Sequence, residues 1–394
     1  MISRSWLSFM FGLVNARYSY LEPPRLEMHL FCFLLVGFVS VLAFDDPPLR
    51  ETRSIDEIYR AALDEGGTVT LWHGGDEVYQ RDNLKAAFEA RFPGVTVNLT
   101  VDLSKYLDGR FDDQLARAAK GDAGAVTVDS IILQTVHDYP RWAQQRALLD
   151  YRPLGWDQIS PAFRDQASAT HYGVAVFSWP LVWSTDKLPA GTALSEFDDF
   201  LRPELKDKIV LTMPHDDDAV LWAFDLIIQQ KGTPWLDALL AQNPRWVRGT
   251  HTPLALISRN DTRLAATFTS GTAYPPPRGL AAAVPRRTRF VSWPQTAAIP
   301  RAAPHPEAAR LLHAFLLSTA WQGRGGWSVR GDVTPPPGTT FGVGHDVAAG
   351  GVPSTDPAAF APWMADRARV ERLRLWFEDR LGTPQGPSPL VDGS

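Results

Sequence analysis

Polar residues follow two apolar runs that are typical of buried strands. The first run ends at His73, Gly74 and Gly75, where two glycines would let the backbone approach a bound molecule closely. The second ends at Gln134 and Thr135, whose amide and hydroxyl groups could donate to a polar ligand. A plain turn from strand to loop remains an alternative for the glycines. These five residues form the first part of a candidate ligand site.

A third polar segment combines one histidine with three consecutive carboxylates. His215, Asp216, Asp217 and Asp218 stand directly before an apolar helical pattern. Capping of that helix accounts for one or two of the aspartates, so the cluster exceeds what a cap needs. An acidic cluster facing a ligand would repel phosphate and favour a cationic or metal-bearing solute. Asp216 and Asp218 are therefore candidate solute ligands, and His215 and Asp217 are candidate metal ligands.

Two further side chains bear on the nature of the ligand. Trp179 could pack on it, although aromatic side chains more often belong to a core. Arg259, together with Arg263, could instead bind a carboxylate or phosphate through two parallel hydrogen bonds. The arginines and the aspartates indicate opposite ligand charges, so the sequence leaves the charge of the ligand open.

Motifs of the common enzyme classes are absent from the sequence. It contains no Gly-x-Ser-x-Gly, His-Glu-x-x-His, Gly-x-Gly-x-x-Gly or phosphate-binding loop. We therefore expect neither catalysis nor a cofactor. His73-Gly74-Gly75 is similar to the oxyanion loop of some esterases, which keeps a secreted hydrolase as one alternative. Fourteen tryptophans keep a carbohydrate or cell-wall interaction protein as another.

Helical and strand patterns alternate along the chain. Ser54 and Glu57 form a capping-box pattern at the start of a helix. A strand at 68–72, a helix at 83–92 and a strand at 95–99 follow. Such a unit predicts a parallel sheet with ligands at the carboxyl ends of its strands.

The alternation continues beyond residue 100. Further helices are predicted at 108–120, 139–147, 218–230, 307–317 and 370–381. Strands are predicted at 126–133 and 208–213, and a helix followed by a strand is predicted within 255–268. The chain is predicted to pass between two parts of the molecule at 177–184 and 290–294.

Length and composition describe a divided globular protein. The 394 residues exceed the size of one ordinary core. Hydrophobic residues make up 45% and charged residues 21%, with a net charge of −5, which argues against disorder and against a nucleic-acid partner.

The N-terminal part resembles an export signal. Residues 28–43 are apolar and end on small or aliphatic residues, which predicts cleavage after Ala43 and a secreted, periplasmic or cell-surface protein. A membrane anchor by 28–43 is the weaker alternative, because the run is short for a membrane span. The single cysteine, Cys32, lies inside this run, so we expect no disulfide. The sequence allows Met1 or Met28 as the start.

Two acceptor triplets for N-glycosylation begin at Asn98 and Asn260. Both would be modified if the exporting cell were eukaryotic. Such triplets also arise by chance.

Four stretches carry a family resemblance. Residues 84–97, 182–189, 200–209 and 303–322 resemble, in order, segments of the extracellular solute-binding proteins of ABC import systems. The similarity is to the iron(III), thiamine and phosphonate-like branch of the type II periplasmic-binding fold. The tail around 386–389 resembles that of fungal relatives.

This resemblance implies an α/β molecule of two lobes, each a mostly parallel sheet flanked by helices, with two crossings at a hinge. Residues 1–43 would be an extension and signal peptide, 44–180 the first part of lobe 1, 181–291 lobe 2, and 292–394 the return to lobe 1. It further implies a monomer that closes around a small or metal-containing solute, with a transporter permease as its possible partner.

The resemblance also bears on iron. Iron-binding members hold the metal with paired tyrosines late in the second lobe. The similar stretch here, 269–276, contains Tyr274 alone. Tyr274 is therefore a candidate ligand residue, and iron held by a tyrosine pair is not expected.

Overall fold

The computed structural model describes residues 49–272, 276–324, 327–333 and 355–386. They belong to one compact unit, Pro47–Ser394. The predicted signal peptide, Cys32 and Tyr274 lie outside the described residues. Within the described part of the chain, no helix combines the length and the apolar character that crossing a membrane requires.

Strands and helices alternate through most of the unit. The strands are β1 (Leu49–Arg50), β2 (Thr68–Gly74), β3 (Thr96–Asp102), β4 (Ser130–Leu133), β5 (Tyr151–Arg152), β6 (Tyr172–Ser178), β7 (Leu181–Ser184), β8 (Val210–Thr212), β9 (Arg245–Val247), β10 (Ala266–Thr267), β11 (Leu280–Ala283) and β12 (Ser292–Ala298). The helices are α1 (Ile55–Asp64), α2 (Asp82–Arg91), α3 (Ser104–Ala119), α4 (Asp138–Gln144), α5 (Asp218–Lys231), α6 (Thr233–Ala241), α7 (Thr252–Ser258), α8 (Pro306–Leu316), α9 (Thr319–Gln322), α10 (Phe360–Ala365) and α11 (Arg367–Leu381).

The first helix begins as the capping box predicts. The Ser54 hydroxyl accepts from the backbone N–H of Glu57 at 3.3 Å, and the Glu57 carboxylate accepts from the backbone N–H of Ser54 at 2.7 Å. Ile58 and Ala62, one helical turn apart, are fully buried on the side that packs against α8. Helix α1 thereby covers one edge of the first core.

A five-stranded sheet with the order β3-β2-β4-β12-β6 forms the centre of the first core. The predicted unit β2-α2-β3 is confirmed, and β2 pairs in parallel with both β3 and β4. In β2, Val69 and Leu71 are buried and alternate with less buried neighbours, as a strand period requires. The carboxyl ends of β2 and β4 therefore lie side by side.

Four of the five strands in this sheet, β2, β3, β4 and β6, run in the same direction, which agrees with the expectation of a mostly parallel sheet in the first lobe. Strand β12 runs antiparallel to β4 and to β6. The reason is topological, because β12 enters from the second sheet and so runs opposite to β2 and β4.

The second core contains a smaller, mostly antiparallel sheet. Its order is β10-β7-β11, with β7 antiparallel to both neighbours. Strands β8 and β9 pair in parallel beside it, and a single bridge joins Ile209 to Ala266. The chain leaves the five-stranded sheet after β6 and returns to it at β12. Helix α5 is buried over most of its length in this core.

The C-terminal helices pack on the second core. Trp363 lies 5.0 Å from Trp222 between ring centroids, and Phe377 lies 5.5 Å from Phe224. Trp363 Nε1 also donates to Asp225 at 2.8 Å. The sequence analysis predicted that residues 292–394 belong to the first lobe. In the structure, α10 and α11 instead bury their apolar faces against α5 of the second core.

The boundaries of most elements agree with the predicted ones to within a few residues. The predicted strand at 126–133 begins only at Ser130; before it, Thr127 is exposed while Val126, Val128 and Asp129 are buried. The elements that were not predicted are helices α6 and α10 and strands β1, β5, β9 and β11.

Candidate functional site

A cleft of about 870 Å³ lies where the carboxyl ends of β2 and β4 face the start of α5. Strand β6, the start of β12 and the loop before α7 also contribute to its walls. The cleft brings together most of the predicted ligand residues. These are His73, Gly74, Gly75, Gln134, Thr135, Trp179, Asp216 and Asp218, together with Asp217 from the predicted metal ligands.

Two predicted residues lie elsewhere. Arg259 is exposed and binds Asp261 two residues further on through both ends of its guanidinium group. His215 Nε2 lies 2.8 Å from the backbone oxygen of Gly382, which follows α11, and His215 does not line the cleft. Arg259 is therefore not part of the cleft, and His215 is not placed to hold a metal there.

The His-Gly-Gly segment is held by internal packing. His73 is buried and its Nδ1 lies 2.7 Å from the backbone oxygen of Gly74. Burial holds the pKa of His73 well below its ordinary value, so its imidazole is neutral. A Cβ atom at Gly74 would collide with the Ser104 hydroxyl, and one at Gly75 would lie 2.7 Å from Val101 Cγ1. Close packing alone therefore requires both glycines.

Two of the three aspartates are neutralised by basic side chains. Asp216 binds Lys105 at 2.8 Å and Arg248 at 2.9 Å. Burial acts to raise the pKa of Asp216, but these two cations hold it below its usual value. Asp218 is paired with Arg374 of α11. The segment thus contributes less negative charge to the cleft than the sequence suggested.

Asp217 is the cap of α5. Its carboxylate accepts from the backbone N–H groups of Ala219 at 2.8 Å and Val220 at 3.0 Å, and Gln134 approaches it at 3.4 Å from β4. Burial raises its pKa to about 7, and the neighbouring charge of Asp76 adds to this effect. Asp217 is therefore partly protonated at neutral pH.

Asp76 and Arg81 line the cleft but were missed by sequence reasoning. The Asp76 carboxylate accepts from the hydroxyl and the backbone N–H of Thr250, the latter at 3.1 Å. Arg81 Nε donates to His73 Nδ1 at 3.3 Å, and the guanidinium lies 5.2 Å from the centroid of the Phe177 ring without an ion pair among the described residues. Burial lowers its pKa to about 10, so it stays charged at neutral pH. Neither residue belongs to a recognisable motif.

Aromatic side chains form one wall of the cleft. Trp179 and Trp293 contact each other with ring centroids 4.8 Å apart, and Phe177 lies 5.8 Å from Trp293. Trp321 and Trp327 also line it. The wall suits an organic ligand with an apolar or planar part.

The described residues offer no cluster for a metal ion. No group of three or more histidine, cysteine, aspartate or glutamate side chains lies close enough to hold one.

A serine does bind a histidine, but neither residue lines the cleft. Ser130 Oγ lies 2.7 Å from His313 Nε2, and Tyr172 contacts the other ring nitrogen. His313 is fully buried, and burial lowers its pKa to about 3. A substrate cannot reach this pair, which stabilises the first core. Within the described residues, His73 and His215 have no such serine or carboxylate partner within hydrogen-bond reach.

Fold and cleft together define a solute-binding protein with the type II periplasmic-binding fold. Residues 80–324, more than half of the chain, match the sequence family described as "Bacterial extracellular solute-binding protein", and the chain belongs to that family. The members of this family are solute-binding proteins rather than enzymes. No curated protein sequence matches the chain.

Solved structures share this fold at low sequence identity. Iron-bound HitA from Pseudomonas aeruginosa has a TM-score of 0.58 and 14% identity, over 79% of this chain and 99% of its own. An ABC transporter substrate-binding protein from Agrobacterium tumefaciens has a TM-score of 0.63 and 14% identity, over 80% and 94%. AfuA from Actinobacillus pleuropneumoniae, with fructose-6-phosphate bound, has a TM-score of 0.56 and 16% identity, over 79% and 98%. The type II fold predicted from the sequence is confirmed.

Proposed function

We propose that the cleft binds a small organic solute with at least one anionic group, and that Arg81 is the counter-ion of that group. The observation that carries the proposal is the charged, half-buried guanidinium of Arg81 without an ion pair among the described residues. An unpaired buried cation costs several kcal/mol relative to a paired one. A bound carboxylate or phosphate would remove most of that cost through two parallel hydrogen bonds.

The alternative is that the protein itself stabilises Arg81 sufficiently. The Phe177 ring contributes about 1 kcal/mol through a cation–π contact. Asp76 attracts Arg81 through space, but the Asp76 carboxylate is occupied by Thr250 and its pKa is raised by burial. The hydrogen bond to His73 adds to these contributions, yet the pKa of Arg81 stays below its ordinary value because of burial, which leaves room for a ligand.

The size of the cleft favours an organic molecule over a single ion. A volume of about 870 Å³ is in the upper range of small-molecule pockets, and its aromatic wall would not be needed for a metal or a free phosphate. AfuA holds a phosphorylated sugar in the same fold, which is an organic anion of suitable size.

The solute would be enclosed by movement of the two cores about β6–β7 and β11–β12. Asp76 with Thr250 and Lys105 with Asp216 already join the two sides, and a solute that also contacts both sides would add to the stability of the closed form. An exported monomer, cleaved near Ala43 and delivering its solute to an ABC permease, fits the family. Asn98 and Asn260 are exposed, as glycan acceptors must be.

The test is a thermal-shift screen of the purified protein. The anionic set contains succinate, citrate, phosphonoacetate and fructose 6-phosphate, and the cationic set contains putrescine, thiamine and ferric iron. We expect stabilisation by members of the anionic set, with a size that follows RT ln(1+[L]/Kd). Stabilisation by the cationic set alone would contradict the proposal.

Variants of Arg81 separate its charge from its shape. Arg81→Gln should weaken binding of the stabilising anion about 10- to 100-fold, because a charge-assisted contact contributes about 1.5–3 kcal/mol. Arg81→Lys should retain part of the affinity. Arg110→Gln is the matched control, because Arg110 is half-exposed and pairs with Asp102 outside the cleft. Equal affinities of Arg81→Gln and Arg110→Gln would overturn the role of Arg81.

A further inference from the structure

Besides Thr135 Oγ1, three polar side-chain atoms in the cleft lining have no hydrogen-bond partner among the described residues. They are Ser270 Oγ, Thr272 Oγ1 and Trp293 Nε1, and all three atoms are shielded from solvent. Ser270 is 1% exposed and Trp293 is 5% exposed. Buried polar groups in folded proteins nearly always have a partner, so each of these atoms needs an explanation.

Trp179 lies next to the residues that carry these three atoms. The Trp179 and Trp293 rings contact each other, and a Cβ atom at Gly271, between Ser270 and Thr272, would lie 3.7 Å from Trp179 Cδ1. The loop that carries Ser270 and Thr272 therefore packs on the same indole that Trp293 contacts. The residues that carry the three atoms thus belong to one part of the cleft lining.

Unpartnered indole nitrogens also occur away from the cleft. Trp183 Nε1 and Trp235 Nε1 lack partners, but neither residue lines the cleft. A single unpartnered nitrogen is therefore not evidence of a ligand site. The cleft differs because several such atoms occur on residues that line one cavity, which is large enough for a small molecule.

We infer that Ser270, Thr272 and Trp293 form a second polar subsite that donates hydrogen bonds to an oxygen of the solute. An indole N–H can only donate, so the partner of Trp293 must be an acceptor. Hydroxyls adapt their hydrogen position and can donate to the same group. The inference rests on the proposed function, because it concerns the same cleft and the same solute.

The aromatic wall relates this subsite to Arg81. Arg81 lies 5.2 Å from the Phe177 ring, and Phe177 lies 5.8 Å from Trp293. One aromatic ring thus separates the guanidinium from the indole of the donor group. The solute would be an organic anion with its charged group at Arg81 and, a few carbons away, a hydroxyl, carbonyl or second acid group at the donors.

Matched pairs of small anions test this chemistry in the wild-type protein. Glycerol 3-phosphate is compared with propyl phosphate, and succinate with butyrate, by thermal shift and calorimetry. Within each pair the first compound has the additional oxygen acceptors. We expect the oxygen-rich member of at least one pair to bind about tenfold or more tightly than its partner, because one hydrogen bond to a buried donor contributes about that much. Equal affinities within both pairs would contradict the inference.

The Ser270→Ala variant distinguishes a ligand donor from a purely structural defect. Removing an unsatisfied hydroxyl should leave the Tm of the ligand-free protein unchanged or higher. The same change should weaken binding of the oxygen-rich member of the pair several-fold and leave binding of its matched partner unchanged. Trp293→Phe should act in the same direction. Trp235→Phe removes an unpartnered indole N–H outside the cleft and is the matched control, for which the affinity should not change.

The outcomes separate this inference from the proposed function. If Arg81→Gln abolishes binding while Ser270→Ala and Trp293→Phe bind both members of each pair like the wild type, the donor subsite is wrong and the anion site remains. If no organic anion stabilises the wild-type protein, both the proposed function and the inferred subsite are wrong.

Discussion

Lys105, in the first turn of α3, binds Asp216 across the cleft. Its Nζ donates to the carboxylate at 2.8 Å and to the backbone oxygen of the same residue at 2.6 Å. Arg248 binds that carboxylate from the second core. The two sides of the cleft are therefore joined by the protein's own charged groups.

We expect Lys105→Met to favour a more open form. Lys105 is the only cation among the described residues that binds Asp216 from the first core, and its removal should cost about 1 kcal/mol and weaken solute affinity about fivefold. Small-angle scattering should report a larger radius of gyration. Lys231→Met is the control, because Lys231 binds Asp198 at 2.7 Å without crossing the cleft. Unchanged scattering in both variants would argue against a role of this pair in closure.

The stability of the protein should depend on the protonation of Asp217. Burial raises its pKa from 3.8 to about 7, so the folded state binds this proton more tightly than the unfolded state. Its contribution is fully present below pH 3.8 and is lost as pH rises through about 7. Asp217→Asn keeps a good helix cap and cannot ionise.

Urea unfolding at pH 5 and pH 8 measures this effect. Asp217→Asn should lose less stability than the wild type between the two pH values, by an amount on the order of 2 kcal/mol. Asp366→Asn, at the exposed start of α11, controls for exchange of the capping group. The assignment fails if the wild type and Asp217→Asn have the same pH dependence.

Gly74 should be required by packing and not by a ligand. Gly74→Ala places a Cβ atom against the Ser104 hydroxyl and should destabilise the fold by about 1–3 kcal/mol. The double variant Gly74→Ala with Ser104→Ala should recover part of that loss, which a double-mutant cycle in urea measures. Ser104→Ala alone measures the free energy of unfolding that is lost with the hydrogen bond from the backbone N–H of Gln134 to the Ser104 hydroxyl. A stable Gly74→Ala protein that no longer binds solute would instead indicate close approach of the ligand.

The fold was largely predictable because its signals are local. The capping box at Ser54, the buried alternation of Val69 and Leu71, and the glycine and proline residues between elements all act within a few residues. The packing of α11 on α5 was not predictable, because an amphipathic helix shows that it has an apolar face but not which element covers it.

Site residues were predictable from the sequence where their position at the end of a strand places them in the cleft. Gln134 and Trp179 follow apolar runs, and the parallel pairing brings strand ends to one edge. The charge of the aspartate segment was not predictable, because Asp216 is neutralised by Lys105, 111 residues away, and Asp218 by Arg374, 156 residues away. Arg81 was not predicted as a site residue. What distinguishes it is the lack of an ion-pair partner among the described residues, which only the three-dimensional structure reveals.

Helix α11 extends from the protein surface to the cleft wall. Arg374 holds Asp218 at the start of α5, while Leu375, the next residue, is 63% exposed. A fluorophore attached at position 375 would therefore sit one residue from a side chain that anchors the cleft, yet outside the solute's path. The C-terminal helix thus offers an attachment point for an optical sensor of cleft occupancy.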